Sequence, residues 1–362
     1  MRVGLVVYGS LDAPSGGYRY DRELVGRLEA RGATVLLFTQ SWQAYPLRLL
    51  QSADRSFRTR IENAQLDVLL EDELNHPSLL SMTSSQSLPP RVSIVHHLRS
   101  SERRHRLVNA TYERVEQRYL DGVDAFICNS ETTAAVVRAI SPRPRPLVVA
   151  KPAGRNVEPA PAPTELLAKA AQRPLRILFV GQLTRRKGLH TLLRAVTQLP
   201  KGEWRLDVVG DPDAEPNYAR GCRAWSRSFG KAVRFHGHLD GAALDAVYRN
   251  THLLCVPSQY EGYGIVFAEA HQYGLPVIAT RGGAAHEIVH DERTGFLVPV
   301  ESPKAVAAAL ARFADFETLG SFSLQALERA RELPTWRSSM DTAVDFIERV
   351  SDVHQRERGR AQ

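Results

Sequence analysis

The sequence predicts an α/β protein made of two doubly wound domains. Three observations carry that prediction. Short β-branched runs alternate with helical patterns along the chain, as in parallel sheets covered by helices. At 362 residues the chain is too long for one ordinary core and suits two domains of about 150–200 residues. Near the middle, Pro152, Gly154, Pro159, Pro161 and Pro163 interrupt the alternation.

In the first half the expected strands are 2–8 (RVGLVVY), 33–38 (ATVLLF), 66–70 (LDVLL), 91–95 (RVSIV), 123–128 (VDAFIC) and 146–150 (PLVVA). A helix is expected over Tyr18–Ala30, stopped at Gly32. The second half restarts with LRILFVG at 175–181. The next helix sets Leu189, Leu192, Leu193 and Val196 on one apolar stripe. RLDVVG, VRFHG, HLLCVP and LPVIAT supply further strands. Asp240 is an expected N-cap, and Ser302-Pro303 opens another helix. Trp336, Met340, Val344, Ile347 and Val350 stripe a last helix, followed by a polar, frayed tail after about 352. The expected domains are 1–152 and 174–335, with 153–173 as linker. Strand C-termini, where doubly wound sheets bind ligands, would then oppose each other across a cleft.

Composition narrows the partners. A net charge of +7 and a pI near 9.4 suit an anionic ligand. No nucleic-acid motif or basic–aromatic interleaving is present, so nucleic acid is not expected. The densest basic stretch, Arg99, Arg103, Arg104, His105 and Arg106 with Arg114 and Arg118, is interrupted by Glu102, Glu113 and Glu116. It reads as a solvated helix face, and docking on an anionic membrane surface stays open. Cys128, Cys222 and Cys255 lie far apart and read as buried, reduced thiols rather than zinc ligands. No run reaches the roughly 18–20 apolar residues of a membrane span, and RVGLVVYGS reads as a strand rather than a signal peptide. The expected location is cytoplasmic, with peripheral attachment to the inner face of the cell membrane left open.

The most informative stretch is 255–299. LCVPS is a strand running into a loop, Glu261-Gly262-Tyr263-Gly264 a turn, and IVFAEAHQY a short helix stopped by Gly274 and Pro276. Unpaired N–H groups at such a helix start suit an anion. Glu269, one turn further in, cannot hold phosphate and suits hydroxyl donors. A sugar joined to a phosphate fits both.

This stretch resembles the E-x7-E region of retaining GT-B glycosyltransferases of family 4, the group-1 glycosyl transferases. GQLTRRKGLHTLLRAV at 181–196, RLDVVGD at 205–211, VRFHGHLD at 233–240 and GGAAHEIVHDERTGFLVP at 282–299 follow in the family's order. The resemblance is specific over roughly 175–300 and looser over 1–150. It implies a GT-B fold: two Rossmann-like domains facing a central cleft, the terminal helix (about 336–352) packing back on the first.

By that resemblance Lys187 grips the donor's diphosphate, where a fixed cation stabilises the charge that develops on departure. Relatives carry an arginine after the glycine of this loop. Gln182 stands there instead, and Arg185 or Arg186 is left to supply the charge. Glu269 would accept from the ribose hydroxyls, and Glu261 would lie nearer the sugar. The N–H groups of Gly264, Ile265 and Val266 would meet phosphate or sugar, and Gly237, His238 and Leu239 would hold the base. Gly16 and Gly17 resemble the glycine pair that closes over the diphosphate, in a loop that lacks G-x-G-x-x-G. His96, preferred by register over His97, would face the transferred sugar or acceptor. Asn129-Ser130 and, more weakly, His76 would line the acceptor side, Ser130 also reading as an N-cap.

The implied activity is transfer of a sugar from a nucleotide diphosphate sugar to an acceptor hydroxyl of a glycan, glycolipid or small metabolite, with retention at the anomeric carbon. No cofactor and no metal are expected, for no D-x-D pair is suitably placed. A nucleotide-sugar epimerase and a non-catalytic nucleotide-binding relative remain as alternatives.

Overall fold

The computed structural model of the chain describes residues 1–84 and 88–361. It divides into two compact units, Met1–Pro152 with Thr335–Gln362, and Ala153–Pro334. No helix among the described residues is long and apolar enough to cross a membrane.

The first unit holds a parallel six-stranded sheet in the order β2-β1-β3-β4-β5-β6. Its strands are β1 (Arg2–Tyr8), β2 (Thr34–Gln40), β3 (Val68–Asp72), β4 (Arg91–Val95), β5 (Ala125–Cys128) and β6 (Leu147–Val149). Its helices are α1 (Gly16–Ala30), α2 (Tyr45–Gln51), α3 (Arg55–Glu62), α4 (Arg106–Asp121) and α5 (Glu131–Ile140), joined by the terminal helix Trp336–Ala361. Alternation along β1 divides two cores. Val3, Leu5 and Val7 meet α1 and the terminal helix, while Val6 faces Phe57, Tyr119 and Leu120 from the other layer. Chain order reverses between β1 and β3, so the loops leaving those strands diverge and open a ligand crevice at their C-terminal ends.

The terminal helix is anchored by Met340, Val344 and Ile347, all buried against the first sheet's core. Each such side chain contributes roughly 1.5–3 kcal/mol. Half-exposed ion pairs Arg27–Asp341 (2.6 Å), Arg31–Asp345 (2.7 Å) and Arg31–Glu348 (2.8 Å) line the same contact and, screened by solvent, add less. The helix continues to Ala361, so the expected fraying after 352 is not seen.

The second unit contains another parallel six-stranded sheet, in the order β12-β11-β10-β7-β8-β9. The strands are β7 (Leu175–Val180), β8 (Trp204–Val209), β9 (Val233–Gly237), β10 (Leu253–Val256), β11 (Val277–Thr280) and β12 (Gly295–Val298). Around them lie α6 (Pro163–Ala170), α7 (Leu189–Val196), α8 (Pro216–Ser226), α9 (Gly241–Arg249), α10 (Ile265–Gln272), α11 (Pro303–Arg312) and α12 (Phe316–Glu332). The α7 stripe is wholly buried, as expected. Order reverses between β7 and β10, which defines this unit's crevice. The predicted α/β class with two doubly wound sheets is what the chain adopts.

Three local expectations need correction. GFLV, read only as part of a motif, forms edge strand β12. Asp240 sits at the N-cap of α9, but its side chain makes no capping bond; Ser302 does cap α11, through the N–H of Ala305. Residues 153–173 are more than a linker. They contain α6, and Gly154 lies so close to α10 that an added Cβ would fall 2.4 Å from Gln272 Oε1. That same oxygen accepts the Arg155 N–H at 2.5 Å.

Gly188 joins the loop after β7 to α7 with φ +76°, and a Cβ there would lie 2.1 Å from the Pro257 carbonyl oxygen. Both the left-handed backbone and the contact demand glycine. Gly188→Ala should therefore cost about 2 kcal/mol or more, read as a lower unfolding midpoint; an unchanged midpoint would contradict this packing.

Candidate functional site

In the second unit the loops leaving β7 and β10 bring Lys187 and Glu261 together. Lys187 ends a 3-10 turn over Arg185–Lys187, and its Nζ donates to both carboxylate oxygens of Glu261, at 2.7 and 2.9 Å. Ser258 Oγ donates to Glu261 Oε1 at 2.5 Å. The Glu261 backbone is pinned by Gly282 and Ala284 at 3.1 and 2.9 Å. Side-chain exposures of 14% and 7% show how far the pair is withdrawn from water. Burial is the strongest influence on Lys187 and lowers its affinity for the proton; Arg186 adds to that and Glu261 opposes it. Burial pushes Glu261 the other way, but Lys187, Arg186 and Ser258 outweigh it and hold the carboxyl below its ordinary value. With two cations beside it, Glu261 stays ionised.

Of the two arginines left open beside Gln182, Arg186 lies nearer the Lys187–Glu261 pair. Its Nη1 donates to the Tyr260 carbonyl at 2.9 Å and stands 3.8 Å from Glu261, whereas Arg185 is exposed and offers its backbone N–H to Glu215. Gln182 is half-buried in the same loop.

The start of α10 lies on this crevice. Gly264 adopts φ +94°, and no side chain caps the helix, whose first N–H groups have no partner within the helix itself. One turn in, buried Glu269 accepts from Tyr248 Oη at 3.0 Å. Tyr248 stacks on Tyr273 at 4.8 Å between ring centroids, and Tyr273 hydrogen-bonds Asp245. Thus α9 and α10 orient Glu269 through aromatic side chains. Gly237, at φ +76°, ends β9 with His238 exposed and Leu239 half-buried beside it. The Gly237 carbonyl accepts from the N–H of Gly210 at 2.8 Å.

In the first unit Gly16 and Gly17 form the first turn of α1, capped by Ser15. Gly17 lies flat on His96, where a Cβ would be 3.2 Å from the ring. His96 is buried at the end of β4 and meets Asp21 of α1 at 3.4 Å. With Asp72 at the end of β3, these form a cluster whose polar atoms lie within 4.8 Å of one another. His97 instead pairs with Glu102 at 3.0 Å. Asn129 Nδ2 donates to the His96 carbonyl at 2.8 Å, and Ser130 caps α5. His76 is buried away from that histidine's cluster, with its ring nitrogens bonded to Tyr45 Oη and the Glu73 carbonyl, each at 2.9 Å.

Sequence reasoning missed Asp21, Asp72, Ser258 and Tyr248. Only Ser258, three residues before Glu261, carried a signal in its position. Glu73, His76 and Glu116 also come within ligand distance of one another. Glu116 accepts the Arg99 N–H at 2.6 Å and both His76 ring nitrogens are occupied, while Glu73 Oε2 is enclosed without a hydrogen-bond partner. All three cysteines are free and buried, as read from the sequence.

Comparison with known proteins agrees with this fold. Residues 168–326 match the sequence model of a family described as glycosyl transferases group 1. A D-inositol 3-phosphate glycosyltransferase of Corynebacterium diphtheriae is 31% identical over 272 residues, 70% of this chain and 63% of that protein. Its counterpart in Corynebacterium urealyticum is 30% identical over 54% of this chain and 49% of its own length. The chain thus spans about half to two thirds of the length of these two relatives. Among solved structures, sucrose-phosphate synthase from Thermosynechococcus elongatus superimposes with a TM-score of 0.82 at 23% identity, over 97% of this chain and 99% of that one. HepE from Anabaena, solved with UDP-glucose, gives 0.72 at 17% identity over 98% and 99%. The fold is that of the GT-B glycosyltransferases. Residues 168–326 of the chain resemble the group 1 glycosyl transferases.

Removing one partner of the Lys187–Glu261 pair strands a buried charge. Lys187→Met should cost about 3–5 kcal/mol, most of it regained in Lys187→Met/Glu261→Met. Additive losses in thermal unfolding of the full chain would show that the two side chains are not coupled.

Proposed function

We propose that this protein transfers a sugar from a nucleotide diphosphate sugar to an acceptor hydroxyl, with retention and without a metal. The observation that carries the reading is the second unit's crevice: the Lys187–Glu261 pair stands between the loops of β7 and β10, beside the uncapped start of α10. Cation, first-turn N–H groups and a carboxylate one turn deeper match diphosphate, phosphate–sugar linkage and ribose in turn. Lys187 with Arg186 would stabilise the departing diphosphate, replacing the charge that Gln182 does not carry. Glu269, held by Tyr248, would accept from the ribose, and Glu261 would hold Lys187 in place while facing the sugar. Gly237, His238 and Leu239 would take the base through backbone atoms.

The first unit would take the acceptor. Asp21, Asp72 and His96 come together at the crevice of its sheet, where Gly17 packs against the imidazole. No protein group need remove the acceptor proton, since the departing phosphate oxygen on the same face can take it. In support, the curated relatives are themselves named glycosyltransferases, and HepE binds UDP-glucose in its crystals.

The same unit suggests where the acceptor comes from. Trp42, Leu47 and Leu50 around α2, and Leu107 and Val108 at the start of α4, are exposed. The two helices are joined by Tyr45 against Tyr112, 4.7 Å between centroids, with Arg99 over both rings. Arg103, His105 and Arg106 lie beside Leu107. Exposed apolar residues with cations on the same unit suit an anionic bilayer, and both helices follow strands that end at the acceptor-side edge. A glycolipid acceptor at the inner face of the cell membrane fits that placement.

Thermal shift against UDP, GDP, ADP and dTDP tests the donor site. One nucleotide at a hundred times its Kd should stabilise the chain by about 2.7 kcal/mol, and Lys187→Ala should reduce transfer kcat/KM about a hundredfold. Normal kinetics in that variant would remove the phosphate role. Isomerised donor without acceptor would indicate an epimerase, and binding without turnover a non-catalytic protein.

Flotation with phosphatidylglycerol vesicles tests the surface. Binding should fall with salt and be lost in Leu47→Asp/Leu50→Asp. Equal recovery of the two proteins would refute membrane docking there.

A further inference from the structure

The Asp21–Asp72–His96 cluster contains more charge than its packing explains. Asp21 and Asp72 are fully buried and His96 nearly so. Both Asp21 oxygens, Asp72 Oδ2 and His96 Nε2 are enclosed and lack a well-formed hydrogen bond, though Asp21 Oδ1 stands 3.4 Å from Nε2. Asp72 Oδ1 is occupied by the N–H of Leu74 at 2.9 Å. Isolated buried carboxylates cost several kcal/mol unless a cation or a proton answers them. The cation standing among these atoms is the imidazole itself when protonated, 3.4 Å from Asp21. Nδ1 of His96 is not among the enclosed orphans, and the side chain retains 11% exposure.

We propose that Asp21 is a positioning residue, which with Asp72 commits Nε2–H of His96 inward and thereby presents Nδ1–H as a charged hydrogen-bond donor at the acceptor-side end of β4. This rests on the reading of the first unit as the acceptor side. It assigns His96 to donating toward a substrate oxygen, hydroxyl or phosphate, rather than to abstracting a proton.

The surroundings agree. Burial alone would lower the imidazole's proton affinity, but Asp21, Asp72 and Glu73 outweigh it and raise the pKa to about 9. Burial, then the neighbouring Asp21, raises the Asp72 carboxyl above its ordinary value, with His96 opposing. From α1, Tyr20 packs edge-on to the ring at 5.3 Å, its hydroxyl donating to the Ala150 carbonyl, and Gly17 covers the face. From the loop after β5, Asn129 holds the His96 backbone. Asp21, Asp72 and Glu73 are the charges that act on the ring. Because its pKa is higher folded than unfolded, His96 stabilises the fold below about 6.5, and this is lost as pH rises through about 9.

Nitrogen-15 NMR titration of the histidine-labelled full chain tests this directly, with His96 assigned from His96→Gln. We expect His96 to titrate near 9 in the wild type. It should titrate lower by about one unit or more in Asp21→Asn, with Asp21→Glu restoring much of the shift. If Asp21→Asn does not fold, Asp72→Asn serves, with a smaller shift in the same direction. A wild-type midpoint near 6.5, or no displacement in a folded variant, would overturn the proposal. With donor and acceptor present, the alkaline limb of kcat should move down in parallel while donor KM holds; wild-type kcat flat through pH 9 would also overturn it. Absence of turnover with every nucleotide sugar would instead sink the transfer reading, and the titration would still decide the role of Asp21.

Discussion

The buried pair between Lys187 and Glu261 is the constraint around which the second unit is arranged. It stands where the sheet's chain order reverses, so each partner arrives on a different loop, one from β7 and one from β10. A pair this withdrawn from water persists only if its geometry is fixed. The loops supply that: Gly188 turns against Pro257, the N–H of Gln259 donates to the Arg186 carbonyl at 2.7 Å, and Glu261 bridges to Gly283. Backbone contacts that look like ordinary loop packing thus set the position of a cation. A lysine held this way is preorganised for an anion and has no rotamer freedom to lose when one arrives.

Much of the second unit could be read in the sequence because its signals are local. The α7 stripe, the Ser302-Pro303 start and the glycine turn before α10 each lie within a few residues, and each forms as expected. So does the alternation that predicts two parallel sheets. β12 escaped because GFLV is four residues long and follows a turn, which gives periodicity nothing to count. Asp240 occupies a cap position without capping, since residue type sets a preference and the backbone around Gly241, at φ +46°, settles the geometry.

The first unit's cluster was illegible for a different reason. Asp21 lies on the inner face of α1, Asp72 at the end of β3 and His96 at the end of β4. Nothing in their spacing relates them; only the order β1-β3-β4 does, by laying the strand ends side by side. Asp21 in YRYDREL looks like an ordinary polar helix residue. Its burial becomes visible only once α1 is laid on the sheet with Leu24 and Leu28 beneath it. Chemistry assembled by topology from single residues leaves no local pattern.

Taken together, the two crevices share an electrostatic logic. In one, cations hold Glu261 ionised; in the other, carboxylates keep His96 charged. Each site fixes the charge of one group, Glu261 in the first case and His96 in the second. Such sites serve poorly as general acids or bases, which need a pKa near the working pH. They serve well where charge develops and must be met without rearrangement. Transfer on one face of a sugar makes that demand: negative charge grows on the departing phosphate and positive charge on the ring, while the acceptor's proton passes between the substrates' own oxygens. Buried charges fixed in this way suit a site that must meet developing charge better than one that draws a proton from its substrate.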